Sequence, residues 1–230
     1  MKIETQDLTL REAKLPLRPV DRETVQDRVY RQIKEMILDG EIEPGRTITI
    51  QRLSEAFQVS AMPVREALRR LMAEQALMVV SGRSVGIPTL TPERLEDLRR
   101  VRREVEGVAA AWAAQRITPD AISQLNDLVE DLEVAARASD GARYVPANHR
   151  FHFAIYELAG SPALLSIIES LWLQISPHFH VLRTSDNWQT ANEAHREILN
   201  ALESKDSKRA TLALSRDIDD AATALRRLVT

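Results

Sequence analysis

The sequence predicts a mainly α chain in two parts: a three-helix head closed by a two-strand hairpin, then an all-α antiparallel bundle. Three observations carry this. From Arg22 onward apolar residues recur at three- and four-residue steps, the period of a helix with one buried face. Two short apolar runs, 77–80 and 85–87, flank a Ser-Gly-Arg-Ser turn, the pattern of a hairpin. Beyond Pro88 no strand pattern returns, and six helical segments follow with short connections.

Residues 1–20 contain Pro16 and Pro19 and no period, and read as an N-terminal arm. Val25, Val29, Ile33, Met36 and Ile37 line the first helix, which Gly40 stops. Glu43-Pro44-Gly45 is a turn. A short helix over 51–57 is expected to turn Leu53, Ala56 and Phe57 inward. Gln58-Val59-Ser60 is a tight connection, and Ser60 is expected to cap a third helix over 61–74, with Pro63 tolerated in its first turn. Val64, Ala67, Leu68 and Leu71 form its buried side.

Thr91-Pro92-Glu93 opens the first bundle helix, with a cap, a proline at the first position and an acid near the positive end of the dipole. It runs to about Gln115. The second runs from Pro119 to about Ala138, where Asp140-Gly141 breaks the pattern. The third runs from near Pro146 to Ala159. Gly160-Ser161-Pro162 stops it and starts the fourth, expected to reach about Thr184 with a bend at Pro177. The last two cover 190–203 and 207–228. The expected boundaries are therefore an arm at 1–20, a head at 21–90 and a bundle at 91–230.

Composition excludes several classes. At 44% hydrophobic, the 230-residue chain has enough for a core and is not globally disordered. No cysteine is present, which excludes disulfides, cysteine-based zinc fingers and cysteine nucleophiles. No stretch approaches the ~20 apolar residues of a membrane span. Glu4, Asp7 and Glu12 make the start unlike a secretory leader, and the expected location is the cytoplasm. The net charge of -3 argues against bulk nucleic-acid coating. It is uneven, however: net +1 over 1–20, zero over 21–90 and -4 over 91–230. A DNA partner would meet the head, and the positions of its arginines matter more than their sum.

Three helices with a tight turn before the third, followed by a hairpin, describe a winged helix-turn-helix, whose third helix enters the major groove. That helix offers Arg65, Arg69 and Arg70 on the side away from Val64, Leu68 and Leu71, with Arg65 and Arg69 on one face; the preceding helix offers Gln51 and Arg52, and the hairpin tip Arg83 beside Gly82. Arginine reads guanine bidentately and clamps phosphate.

The runs Gly40-Glu41-Ile42-Glu43-Pro44-Gly45, 53–60 (Leu-Ser-Glu-Ala-Phe-Gln-Val-Ser) and 63–71 (Pro-Val-Arg-Glu-Ala-Leu-Arg-Arg-Leu) resemble the GntR family of bacterial transcription regulators. The resemblance implies a homodimer on a short palindrome of double-stranded DNA, with Ser60, Arg65 and the wing at Gly82 and Arg83 as contacts. The chain departs from the family at Ala61 and Met62, where Arg and Thr are usual. It departs also at Gln51, usually Arg, and at Ser84, usually Gly. Fewer phosphate neutralisations and a shallower salt dependence are expected. Ala61 and Met62 could instead meet a thymine methyl.

Val101-Arg102-Arg103-Glu104-Val105-Glu106, Asn148-His149-Arg150-Phe151-His152, 159–164 and His195-Arg196-Glu197-Ile198 through Asp206 resemble the all-helical FCD domain of the FadR branch. That resemblance implies a small organic acid effector and, in many members, one divalent metal ion. The matching metal positions are Asn148, His152, His195 and Asp217; Zn, Ni or Mn would suit two imidazoles and a carboxylate. Asn for Asp removes an anionic ligand, so a hydrogen-bonded polar pocket without metal accounts for the set as well. Arg102 is implied to face the cavity, either paired to Glu106 or forked onto an effector carboxylate, with His152 and His195 as further effector contacts. His178 and His180 are expected at the surface, and Trp112, Trp172 and Trp188 in the core or pocket wall.

The expected function is a ligand-responsive transcription regulator. The alternatives are a constitutive DNA-binding regulator with a degenerate effector site and a helical-bundle metalloenzyme. The chain has no paired Glu-x-x-His, no His-Glu-x-x-His, no Gly-x-Ser-x-Gly and no P-loop, so no enzyme is expected.

Overall fold

The computed structural model describes residues 23–82, 84–179 and 188–227, with the backbone alone at Gln189. The expected arm at 1–20, Arg83 and His180 lie outside the described residues.

The head begins with α1 (Val25–Leu38). Its start is a reciprocal capping box between Thr24 and Asp27, and it buries Val29, Ile33 and Ile37. Strand β1 (Thr47–Thr49) leads into α2 (Ile50–Phe57), whose Thr49 side chain caps the Arg52 N–H. Gln58 closes α2 in the left-handed region at φ 54°. Helix α3 (Ala61–Ala73) follows, then β2 (Met78–Ser81) and β3 (Ser84–Gly86). The sheet order is β1-β3-β2, antiparallel throughout. The sequence reading missed β1, because its three residues pair with β3 some forty positions away, Thr47 opposite Gly86. Two other expectations fail here. Ala56 is exposed, since α2 turns only Leu53 fully inward and leaves Phe57 half-buried. Ser60 stands at the N-cap of α3 but its hydroxyl makes no capping bond.

The helical part comprises α4 (Pro92–Arg116), α5 (Pro119–Arg137), α6 (Gly141–Leu158), α7 (Pro162–Ile175), α8 (Trp188–Glu203) and α9 (Ser207–Arg226). Thr91, Thr118 and Ser161 each cap a helix whose first residue is proline, so these starts are encoded locally. Helix α4 packs antiparallel on α9 and also touches α6, α7 and α8. Gly107 permits the close approach of α9: a Cβ there would crowd Thr211 Cγ2, and the Thr211 hydroxyl donates to the Gly107 carbonyl at 3.0 Å.

Three expectations are corrected in this part. Helix α6 begins at Gly141 rather than near Pro146, which lies inside it. Asp140 caps the early start, and burial of Tyr144 and Val145 holds a first turn that the proline weakens by one backbone bond. Helix α7 ends at Ile175 instead of bending through Pro177; one turn of 3₁₀-helix continues to Phe179. Trp112 is 43% exposed rather than core, because Ala109, Ala110, Ala113 and Ala114 occupy the inward phase of α4.

Head and bundle are in contact. The Ser176 hydroxyl donates to the Ile37 carbonyl at 3.3 Å, Lys34 pairs with Glu169 at 2.8 Å, and His149 Nδ1 meets the Asp39 carboxylate at 3.0 Å. Arg94 joins Gln75 of the head to Gln174 of α7.

Gly160 is held at φ +65°, and a side chain there would run into the Arg116 guanidinium, which donates to the Ala159 carbonyl at 2.6 Å. Gly160→Ala is therefore expected to destabilise the protein by about 1–2 kcal/mol, read as a lower urea midpoint at unchanged m-value.

Candidate functional site

The head presents one polar edge of α3. Met62, Arg65 and Arg69 follow at three- and four-residue steps on the exposed side, opposite the buried Val64, Ala67, Leu68 and Leu71. Arg65 makes no ion pair among the described residues. Arg69 holds Glu66 at 2.8 Å in an exposed pair, which a phosphate can displace. Arg70 turns away from this edge: its guanidinium lies 3.7 Å over the Tyr30 ring, whose hydroxyl bonds Glu74. Ala61 and Ser60 are exposed at the helix start, whose first N–H groups have no side-chain cap. Gln51 bonds Glu55 at 2.9 Å, Arg52 is exposed beside it, and Gly82 is exposed in the wing turn. Ser84, at a position where the family usually has glycine, ties that turn by donating to the Ser81 carbonyl at 3.0 Å.

The second site is a cavity of about 220 Å³ in the helical part. Positions 148, 152 and 156 share one face of α6. Asn148 and His152 line the cavity with Asp217 of α9. His152 Nε2 stands 3.4 Å and His195 Nε2 3.6 Å from the two oxygens of Asp217. Donor atoms of these three residues all lie within 4.8 Å of one another, and all three residues are buried. Aromatic rings complete the wall: Trp188 stacks on Tyr144 with centroids 5.1 Å apart, and Trp172 lies against the His152 ring at 5.3 Å.

Burial sets the protonation of the trio. It pushes His195 down to about 3. Burial, with the nearby His195 and Arg102, holds His152 well below its ordinary value. It pushes Asp217 up to about 7 although Arg102 pulls the other way. Both imidazoles are therefore neutral, the form that ligates metal. His195 Nδ1 is buried without a hydrogen-bond partner. Two neutral imidazoles, a carboxylate and an orphaned ring nitrogen fit a divalent cation. Asn148 adds an amide oxygen, weaker than a carboxylate.

Two effector expectations are modified. Arg102 is buried in the cavity wall, but its fork is already engaged: Nε bonds Glu106 at 2.5 Å and Nη2 the other oxygen at 3.2 Å. A buried guanidinium requires a partner, and the acid four residues on supplies it. His195 is not among the cavity-lining residues and meets the site from behind, through Asp217 and edge-on to the His152 ring at 5.3 Å. Other departures concern aromatics and histidines. Trp172 and Trp188 wall the cavity as expected. His178 is buried, not exposed. His149, which lay outside the expected metal set, bonds the head at Asp39 and packs edge-on against Phe153 at 4.4 Å. Tyr156, which bonds both Glu106 and His152, was also missed, although its four-residue spacing from His152 was a visible signal.

A helix-turn-helix head with a wing, joined to a helical chamber, is the architecture of a ligand-responsive regulator. Residues 25–87 match the bacterial regulatory proteins of the gntR family, and residues 97–228 match the FCD domain. The HTH-type transcriptional regulator McbR of Escherichia coli (strain K12) is 32% identical over 185 residues, covering 79% of this chain and 83% of McbR. The solved structure of E. coli McbR superposes with a TM-score of 0.84 at 28% identity, covering 91% of this chain and all of that one. The Nta operon transcriptional regulator of Aminobacter aminovorans is 29% identical over 164 residues, 71% of this chain and 75% of that protein. The chain belongs to the GntR family and carries the family's FCD domain. It is a transcription regulator with a DNA-binding helix-turn-helix and an effector-binding helical domain, not an enzyme.

The trio gives metal-free protein a defined acid sensitivity. Below the ordinary histidine value of 6.5 the unfolded chain protonates both imidazoles while the folded chain keeps them neutral, so acid favours unfolding. Asp217 opposes this: folded, it keeps a proton up to about pH 7, whereas unfolded it releases it near 3.8, so it favours the fold in acid. Two imidazoles outweigh one carboxyl. Stability is expected to fall as pH drops from 6.5 toward 5, on the order of 1 kcal/mol per pH unit. A His195→Gln variant should show a visibly shallower fall in urea midpoint; an equally steep one would refute the assignment.

Proposed function

We propose that the chain acts as a cytoplasmic homodimer on a short palindromic operator, released or tightened by a small organic acid bound in the α4–α9 chamber. The proposed units are an arm at 1–20, a DNA-binding head at 21–90 and an effector-binding and dimerising bundle at 91–230. Gln51, Arg52, Ser60, Ala61, Met62, Arg65, Arg69, Gly82 and Arg83 are the proposed DNA contacts. Exposure of Arg65, with no acid partner among the described residues, supports this reading most directly, because an exposed guanidinium at the start of the recognition helix is the group that reads guanine.

The proposed metal ligands are His152, His195 and Asp217, with Asn148 as an outer oxygen. The buried convergence of the three donor groups is the observation that supports them. A bound cation would act as a Lewis acid toward an effector carboxylate. Arg102, held by Glu106, then contributes positive potential rather than a fork. Signal transfer has a proposed route: Trp172 in the chamber wall, His149 packed against it, and Asp39 at the end of α1. An effector affects DNA binding only as far as it discriminates between head placements.

Arg65→Ala is expected to abolish specific operator binding, with the oligomeric mass unchanged. Operators come from selection on random duplexes, and affinity is read by fluorescence anisotropy. Retained affinity would overturn the recognition-helix assignment. His152→Ala combined with His195→Ala is expected to remove bound metal from protein loaded with Zn, Ni or Mn, measured by plasma mass spectrometry. Stoichiometric metal in that variant would displace the site elsewhere.

A further inference from the structure

Two arginines line the chamber, and only one of them is committed. Arg102 closes its fork on Glu106. Arg227, at the C-terminal end of α9, is exposed and makes no ion pair among the described residues. Its neighbour Arg226 lies outside the lining and holds Glu96 at 2.7 Å. Asp220, which shares the lining with Arg227, pairs with Arg216 at 3.9 Å. An uncommitted guanidinium at the rim of a cavity offers its fork to a carboxylate.

Helix geometry sets how far this cation stands from the His152–Asp217 floor. Asp217, Ala221, Ala224 and Arg227 follow at steps of four, three and three residues, and all four line the cavity. From 217 to 227 the helix rises ~15 Å. A helical side chain leans toward the N-terminus, so the guanidinium stands about one turn nearer, ~10 Å from the floor. Trp188 reaches the same height. Helices α8 and α9 are joined by residues 204–206 and run antiparallel, and His195 and Asp217 share one level, 3.6 Å apart. Trp188 lies seven residues before His195, and Ala224 seven after Asp217. Both are therefore displaced ~10 Å in the same direction. Trp188 is stacked on Tyr144, and both rings line the cavity. The chamber thus has a polar floor, an upper wall of aromatic rings and alanines, and a cation at the rim. At about 220 Å³ it exceeds the ~150 Å³ that admits benzene, which leaves room for small substituents on one ring.

We propose that the chamber selects an aromatic diacid, with one carboxylate at the His152–Asp217 floor, the ring against the Trp188–Tyr144 wall and the outer carboxylate in the fork of Arg227. The inference rests on the organic-acid reading above and adds the ligand class and the residue that selects it.

Terephthalate is the probe, since its two carboxylates lie at opposite ends of one ring. Benzoate lacks the outer carboxylate, and adipate carries two carboxylates on a flexible chain without the ring. Calorimetric titration of full-length, Zn-supplemented protein is expected to place terephthalate about tenfold above each of them in affinity. Arg227→Ala should cost terephthalate about tenfold and leave benzoate unchanged, whereas Arg226→Ala should change neither. Trp188→Leu should erase the advantage of terephthalate over adipate. Equal losses for terephthalate and benzoate in Arg227→Ala, or adipate bound as tightly as terephthalate by the wild type, would overturn the diacid assignment and leave the organic-acid reading standing. The same holds if none of the three binds while citrate or lactate does. If no acid of the five binds, both fail.

Discussion

The Arg102–Glu106 pair is the interaction around which the helical part is organised. Both side chains are buried, one turn apart on the helix that touches α6, α7, α8 and α9. A buried guanidinium is tolerable only with a fixed counter-charge, and Glu106 also receives the Tyr156 hydroxyl, which in turn reaches His152. The chamber therefore grows outward from a charge that had to be neutralised. Arg102 gives the cavity wall positive potential, Tyr156 aligns one imidazole, and Asp217 closes the set from α9.

The same economy explains the contact between head and chamber. The end of α1 rests on α6 and α7 through groups that the bundle already orders: Ser176 beyond α7, Glu169 on it and His149 on α6. His149 sits beside Asn148 in sequence but points to the head instead of the cavity. One helix thus presents cavity residues on one face and a head contact on the next. Trp172 packs against His149 and His152 alike, so a change in the chamber and a change at the head share a wall.

Much of the fold was legible because it is written in neighbours. The Thr-Pro and Ser-Pro starts at 91, 118 and 161 need only local backbone chemistry. The four-residue steps Asn148–His152–Tyr156 and Arg102–Glu106 are likewise local, and the second was anticipated as one of two partners. Strand β1 was illegible because three residues carry too little pattern, and its pairing lies across the whole helix-turn-helix. The early start of α6 was illegible because a proline normally argues against it, and only tertiary burial of the first turn overrides that preference.

By itself the sequence determined the order of the helices and the wing hairpin, the placement of Arg65 and Arg69 on the outward side of α3, and the family motifs, since each depends on residues within a turn or two. Only the tertiary structure decided which polar groups meet. It brought His152, His195 and Asp217 together from three helices, closed the Arg102 fork, kept His195 behind the cavity and left Trp112 outside. Those outcomes depend on the phase at which long helices pack. A rotation of one residue moves a side chain by about 100°, from core to surface, and no local pattern specifies it.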